Sequence, residues 1–200
     1  MKPRRALVAL LSATVLAMPA PAYKILYAEQ YYRLFHEQLT MSTDDIMENI
    51  VWLEQALAAD FANPLYALAR VDNKREWEQY RSLFKMHVNL KLVQMHLKLA
   101  SLYDKRTAYF YIAPWKEQNL ESLATAEGLY HRGLYYWQEA LSWARKVRQY
   151  GIHLEDVQNW EDEATRIRSG DLDYARIIAE QLARVERVKA RFRAMGPATY

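Results

Sequence analysis

The sequence contains no cysteine, which excludes disulfides, thiolate metal ligands and a lipid-modified N-terminal cysteine. Turn-forming residues are nearly as scarce, with five glycines and six prolines in 200 residues, and only Pro64, Pro114 and Pro197 lie beyond residue 22. A many-stranded β architecture needs far more turn chemistry than this. Beyond the first residues no apolar run approaches the ~20 residues of a membrane span. There is no HExxH run, G-x-S-x-G elbow, phosphate-binding glycine loop or dinucleotide fingerprint. Neither a catalytic constellation nor a cofactor is expected.

What is present begins with "MKPRRALVALLSATVLAMPAPA". Lys2, Arg4 and Arg5 precede an apolar run from Ala6 to Met18, and Ala20-Pro21-Ala22 supplies the small-x-small pattern of a signal-peptidase site. The pattern predicts a secretory signal over residues 1–22, a mature chain starting at Tyr23 and a periplasmic location. Loss of that segment removes three basic residues from a chain with 27 Lys+Arg and 24 Asp+Glu. The mature chain is then formally neutral, which gives no reason to expect nucleic acid or an anionic bilayer as partner. Residues 23–200 suffice for one domain with its own core, not integral to the membrane after cleavage.

Helical periodicity dominates the rest and predicts an all-α fold of stacked helical hairpins with two long central helices. A first helix is expected from about Tyr23 to Leu39. Ser42-Thr43-Asp44-Asp45 offers a cap for a second, with Ile46, Ile50, Leu53 and Leu57 on one face. Pro64 opens a short helix through Arg70. Asp72 or Asn73 caps a long helix with Trp77, Tyr80, Phe84, Val88, Met95 and Leu99 on one side, and Leu83, Met86, Leu90, Val93 and Leu97 on another. Two apolar faces imply a central position. Pro114 starts the second long helix, which ends before Gly151. One seam runs through Leu120, Leu123, Tyr130, Leu134, Trp137, Leu141 and Ala144, interrupted by Glu127. Ala126, Leu129, Gly133, Tyr136, Ala140, Trp143, Val147 and Tyr150 form another. Gly133 is expected to let a neighbouring helix approach closely. The final pair, Leu154 to Ser169 and Asp171 to Met195, reads as a C-terminal hairpin broken at Gly170, with Asp171 as cap.

In that hairpin Trp160, Ala164 and Ile167, followed by Gly170-Asp171-Leu172 and Ala175, resemble a tetratricopeptide unit. With the predicted export, the chain is similar to tetratricopeptide-like periplasmic proteins of spirochaetes, which include flagellar-motor collar components. The resemblance implies a scaffold that binds other periplasmic or envelope proteins, with self-association compatible with such a role. His36, His87, His96, His131 and His153 show no metal-ligand spacing, so each is expected to be structural or solvated and no metal is expected. Asp44-Asp45 and Glu161-Asp162-Glu163 fit helix starts. Arg184, Arg187, Lys189, Arg191 and Arg193 alternate with apolar residues and read as the solvated face of an amphipathic helix.

The segment "LYDKRTAYFYIAPWKE", residues 102–117, interrupts the helices. It alternates Thr107, Tyr109 and Tyr111 with Ala108, Phe110 and Ile112, and the residue before Pro114 is biased away from helix. An extended or irregular connector is expected. Its aromatics either close the core as a lid, or Tyr109, Tyr111 and Trp115, with Lys105 and Arg106 nearby, stay exposed as a partner anchor. The chain's 5 Phe, 6 Trp and 15 Tyr exceed what a helical core requires, which keeps the binding alternative open. The expected function is a non-enzymatic scaffold in an envelope assembly. The alternative is a solute- or glycan-binding accessory protein with an aromatic pocket between the two long helices.

Overall fold

The computed structural model describes residues 24–41, 44–147 and 150–196. The predicted signal segment, Tyr23, the Ser42-Thr43 half of the second helix's cap and Pro197 lie outside the described residues. Among the described residues, six α-helices carry the fold: α1 Ala28–Met41, α2 Ile46–Ala58, α3 Lys74–Tyr103, α4 Lys116–Val147, α5 Gln158–Ser169 and α6 Tyr174–Ala194. Among the described residues three 3₁₀ segments, Pro64–Tyr66, Phe110–Trp115 and Glu155–Val157, stand in the connections. The fold is all-α. No strand occurs among the described residues beyond an isolated bridge between Tyr27 and Asp60.

Side-chain caps fix several boundaries. Asp45 accepts from the Glu48 amide at 3.0 Å, and Asn73 accepts from both Arg75 and Glu76 at 3.0 Å, satisfying donors that the first helical turn leaves free. Other boundaries differ from expectation. α1 starts at Ala28 because Gln30 Oε1 accepts from the Leu26 and Tyr27 amides and the Ala28 amide donates to Asp60 O. The helix expected after Pro64 stops after one 3₁₀ turn. Tyr80 Oη takes the Leu68 amide at 3.1 Å and Asp156 Oδ2 takes the Arg70 amide at 2.7 Å, which diverts both donors from a helical ladder. α5 begins at Gln158, after its own 3₁₀ turn. At α6 the cap is Asp173, accepting from the Arg176 amide at 3.2 Å. Asp171 instead accepts from Ser169 Oγ, within a turn that Gly170 makes at φ 81° and that closes with the Leu172 amide on Arg166 O.

α3 and α4 form a long antiparallel pair. Ser122 Oγ donates to Tyr103 O at one end, the His96 and Tyr136 rings meet at 5.2 Å in the middle, and Lys85 Nζ lies over Trp143 towards the other end. α2 packs on α3 and carries α1; α5 lies mainly on α3, and α6 on α4. The fully buried residues of α4 are Leu123, Ala126, Tyr130, Gly133, Trp137, Ala140 and Ala144, alternating three and four residues apart. The two seams anticipated for this helix merge into that single stripe, flanked by half-buried residues of each, as in knobs-into-holes packing.

α6 covers α4 with its apolar stripe of Ile178, Val185, Val188 and Phe192, and two of the five cations expected to be solvated turn inward with it. Lys189 is buried, 2.5 Å from Glu127 and 3.4 Å from Glu186, and the Arg184 guanidinium pairs with the buried Asp104 carboxylate. Arg187, Arg191 and Arg193 do face solvent. Glu127, the apparent interruption of an apolar seam, is thus the partner of a cation brought in by α6. The Lys189 hydrogen bond holds its carboxyl below the usual range.

Gly133 sits where α3, α4 and α6 meet, and a Cβ there would lie 3.7 Å from both His96 Cβ and Ile178 Cδ1. That is ordinary contact for a methyl group, with no room for a larger one. Gly128 faces open space. Gly133→Leu is therefore expected to lower unfolding free energy by about 1–3 kcal/mol through overpacking. Gly128→Ala should raise it by up to ~1 kcal/mol through helix propensity. Urea denaturation of the two variants checks this, and equal effects would mean that the three-helix contact is not tight.

Candidate functional site

The connector between α3 and α4 is held at both ends and bare in the middle. Asp104 caps α3 through its amide on Ala100 O, while its buried carboxylate accepts from Tyr130 Oη at 2.8 Å and from Arg184. At the far end Lys116 Nζ donates to Arg193 O and Met195 O, at 3.1 and 3.0 Å, and Asn119 Nδ2 donates to Trp115 O. Between these anchors Ala108, Ile112 and Ala113 pack against the core. Tyr109, Tyr111 and Trp115 are 51, 57 and 53% exposed, and Phe110 is 62% exposed. The expected alternation placed Phe110 on the inner side. The 3₁₀ turn from Phe110 onward replaces the two-residue period, so three consecutive rings face outward. Tyr109 and Tyr111 stack with ring centroids 5.3 Å apart and planes 6° from parallel, and Phe110 meets Tyr111 edge-on. Leu102 and Tyr103 extend the apolar surface. Arg106 is exposed and Lys105 half-buried, with no carboxylate within ion-pair distance of either among the described residues.

A second arrangement was not legible in the sequence. His87, only 1% exposed, has Nδ1 2.5 Å from Glu163 Oε2 and Nε2 2.7 Å from Tyr32 Oη, and Tyr32 Oη also lies 2.7 Å from His36 Nε2. One proton arrangement satisfies all three contacts with Glu163 ionised and both rings neutral. His36 Nε2–H donates to Tyr32, Tyr32 donates to His87 Nε2, and His87 Nδ1–H donates to Glu163. Trp160 stacks on His87 with centroids 4.9 Å apart, and Lys91 Nζ lies 3.8 Å from Glu163. A shallow cavity of about 300 Å³ opens beside this chain, bordered also by Arg33, Asp156 and Asn159. The partners lie 55 and 76 residues apart in sequence, so no spacing rule reveals them.

Burial shifts the titration of Tyr32 and His87 in opposite directions. Burial, then the Glu163 charge, raise the Tyr32 phenol above its ordinary range, whereas burial lowers the His87 imidazole despite the opposing pull of Glu163. Both shifts favour a neutral phenol donating to a neutral imidazole. His36 and His96 are also lowered, each chiefly by burial. Among the described residues no three His, Asp or Glu side chains gather to hold a metal ion.

Residues 75–195, nearly all of α3 through α6 with the whole connector, match a family described as a domain of unknown function (DUF8513). No curated protein and no solved structure matches the chain.

The lowered histidines predict acid lability. In the unfolded chain they titrate near 6.5, whereas the folded protein resists protonation until lower pH, so below about 6.5 the unfolded state binds more protons. Unfolding free energy should be level with respect to histidine above that pH. It should fall as pH drops below it, by about 1.4 kcal/mol at most for each unit by which His87 is depressed. Urea denaturation at pH 7.5 and 5.5 measures the loss, and His87→Phe should reduce it. An unchanged pH dependence in the variant would show that His87 is not held neutral by burial.

Proposed function

We propose that this chain, which belongs to the DUF8513 family, is a non-enzymatic exported protein that serves as an interaction or scaffold component of a cell-envelope assembly. The observation that carries the reading is the outward row of Tyr109, Phe110, Tyr111 and Trp115 on a connector fixed at both ends. Exposed rings on a fixed backbone lose little conformational entropy when a partner covers them. Aromatic side chains are also the commonest source of interface energy. A contiguous apolar surface flanked by cations is costly to leave in water and is characteristic of an interaction site. The signal-like N-terminus supports a periplasmic setting. The resemblance to spirochaetal tetratricopeptide-like proteins extends the proposal to the collar of a periplasmic flagellar motor.

The test is crosslinking in intact cells followed by recovery of the partner. Changing Tyr109, Tyr111 and Trp115 together to Ser should leave cooperative melting in place, with Tm lowered by a few degrees, because these rings are already half in water. Partner recovery should collapse, each lost anchor weakening binding by ~2 kcal/mol or more. Lys105→Glu with Arg106→Glu should leave folding unchanged and slow association with an acidic partner in a salt-dependent manner. Undiminished crosslinking by the folded triple variant would move the interface away from the connector.

A further inference from the structure

At the opposite end of the α3–α4 pair from the aromatic connector lies a cleft of about 240 Å³, bordered by Glu78, Arg81 and Lys85 of α3 and by Trp143 and Lys146 of α4, with Tyr150 beyond. Its charge is unbalanced. Among the described residues Glu78 is the one carboxylate bordering it, 3.3 Å from Arg81 Nη1, and no carboxylate comes within ion-pair distance of Lys85 or Lys146. Their ammonium groups sit over the same indole ring instead, 4.8 and 3.6 Å from the Trp143 centroid. Behind the cleft the Arg81 guanidinium and Lys85 Nζ also meet the Phe61 ring, 5.2 and 5.9 Å from its centroid. Arg81 Nε is buried without an acceptor.

Folding alone does not account for this arrangement. Like charges held together destabilise the chain that carries them, and an apolar side chain at position 85 would cover Phe61 and Trp143 without that cost. Burial, followed by the charges of Arg81 and Lys146, pushes the Lys85 amine below its ordinary range, as expected where three cations converge on a single carboxylate. Cation–π contact fixes the ammonium groups in place but leaves their N–H donors free for an oxyanion. After Arg81 is matched with Glu78, two positive charges remain unmatched, which suits a dianion.

We propose that this cleft binds the terminal phosphate of a phosphomonoester, with Lys85 and Lys146 supplying the opposing charges and Arg81 a third donor group. A soluble phosphate ester and the headgroup of phosphatidic acid present the same chemistry. The site is separate from the aromatic connector, so it stands or falls independently of the partner-binding reading.

The test uses the full chain at constant ionic strength. Inorganic phosphate and phenyl phosphate should raise Tm saturably relative to chloride, and should raise the pH at which Lys85 Nζ titrates by NMR, which mere surface screening does not do. Lys146→Gln, at an exposed position, should keep the fold and weaken apparent phosphate affinity about tenfold; Lys85→Met should do the same while retaining contact with the rings. Cosedimentation with phosphatidylcholine vesicles containing phosphatidic acid, without a response to the soluble esters, would assign the phosphate to a lipid headgroup. A shift that does not saturate, equal responses in wild type and both variants, or no response to either source would overturn the proposal.

Discussion

The enclosure of α3 governs where every other helix lies. Its buried residues run in unbroken stretches, Ser82 to Phe84 and Met86 to Leu90, and consecutive positions on a helix face successive directions about 100° apart. No single neighbour can cover such a helix. α4 lies along one side, α2 on a second and α5 on a third, and α1 and α6, seated mainly on α2 and α4, reach α3 through side chains such as Tyr32 and Tyr174. The apolar area thereby withdrawn from water is the main favourable term, at roughly 25 cal/mol for each Å².

A helix buried on several sides also buries polar groups, and each must find a partner or forfeit ~1–3 kcal/mol. Gln79 bridges to both backbone groups of Ile152 and to Glu161, tying α3 to the segment that leads into α5. Ser82 and Asn89 donate back to carbonyls four residues earlier, and His96 Nδ1–H donates to Leu92 O. His87 cannot be satisfied within its own helix, and its ring recruits Tyr32 from α1 and Glu163 from α5. The aromatic box of Tyr32, Tyr80, Phe84 and His87 around Trp160 is thus also a hydrogen-bonded junction of three helices. Burial favours the neutral imidazole there, which links the packing to pH.

Much of this is written locally in the chain. The two apolar faces of residues 77–99 imply a central helix before any neighbour is known, and Gly133 on a seam implies a close approach. The caps of α2 and α3 follow from Asp45 and Asn73 by simple stereochemistry. What escapes local reading is any group whose fate is decided by a distant one. Lys189 looks solvated until Glu127, 62 residues away, receives it, and the amides of Leu68 and Arg70 look helical until Tyr80 and Asp156 take them. The connector shows the same limit in reverse. Its aromatic composition is plain in the sequence, but whether the rings turn inward depended on a 3₁₀ turn that alternation does not predict.

The fold therefore separates two kinds of aromatic surface. Apart from the terminal Tyr103, rings on α1, α3 and α5 pack into or against the core, while those between α3 and α4 stand outside it on a backbone pinned by Asp104 and Lys116. This division rests on α3 being the last part of the molecule to open. Native-state hydrogen exchange followed by NMR, compared with unfolding free energy from urea denaturation, tests that claim most directly. Amides from about Leu83 to His96 should exchange only through global unfolding, with free energies equal to the denaturation value, while those of residues 106–109 exchange far faster. Exchange of the α3 amides through openings well below the global value, with α1, α2 or α5 better protected, would contradict the account.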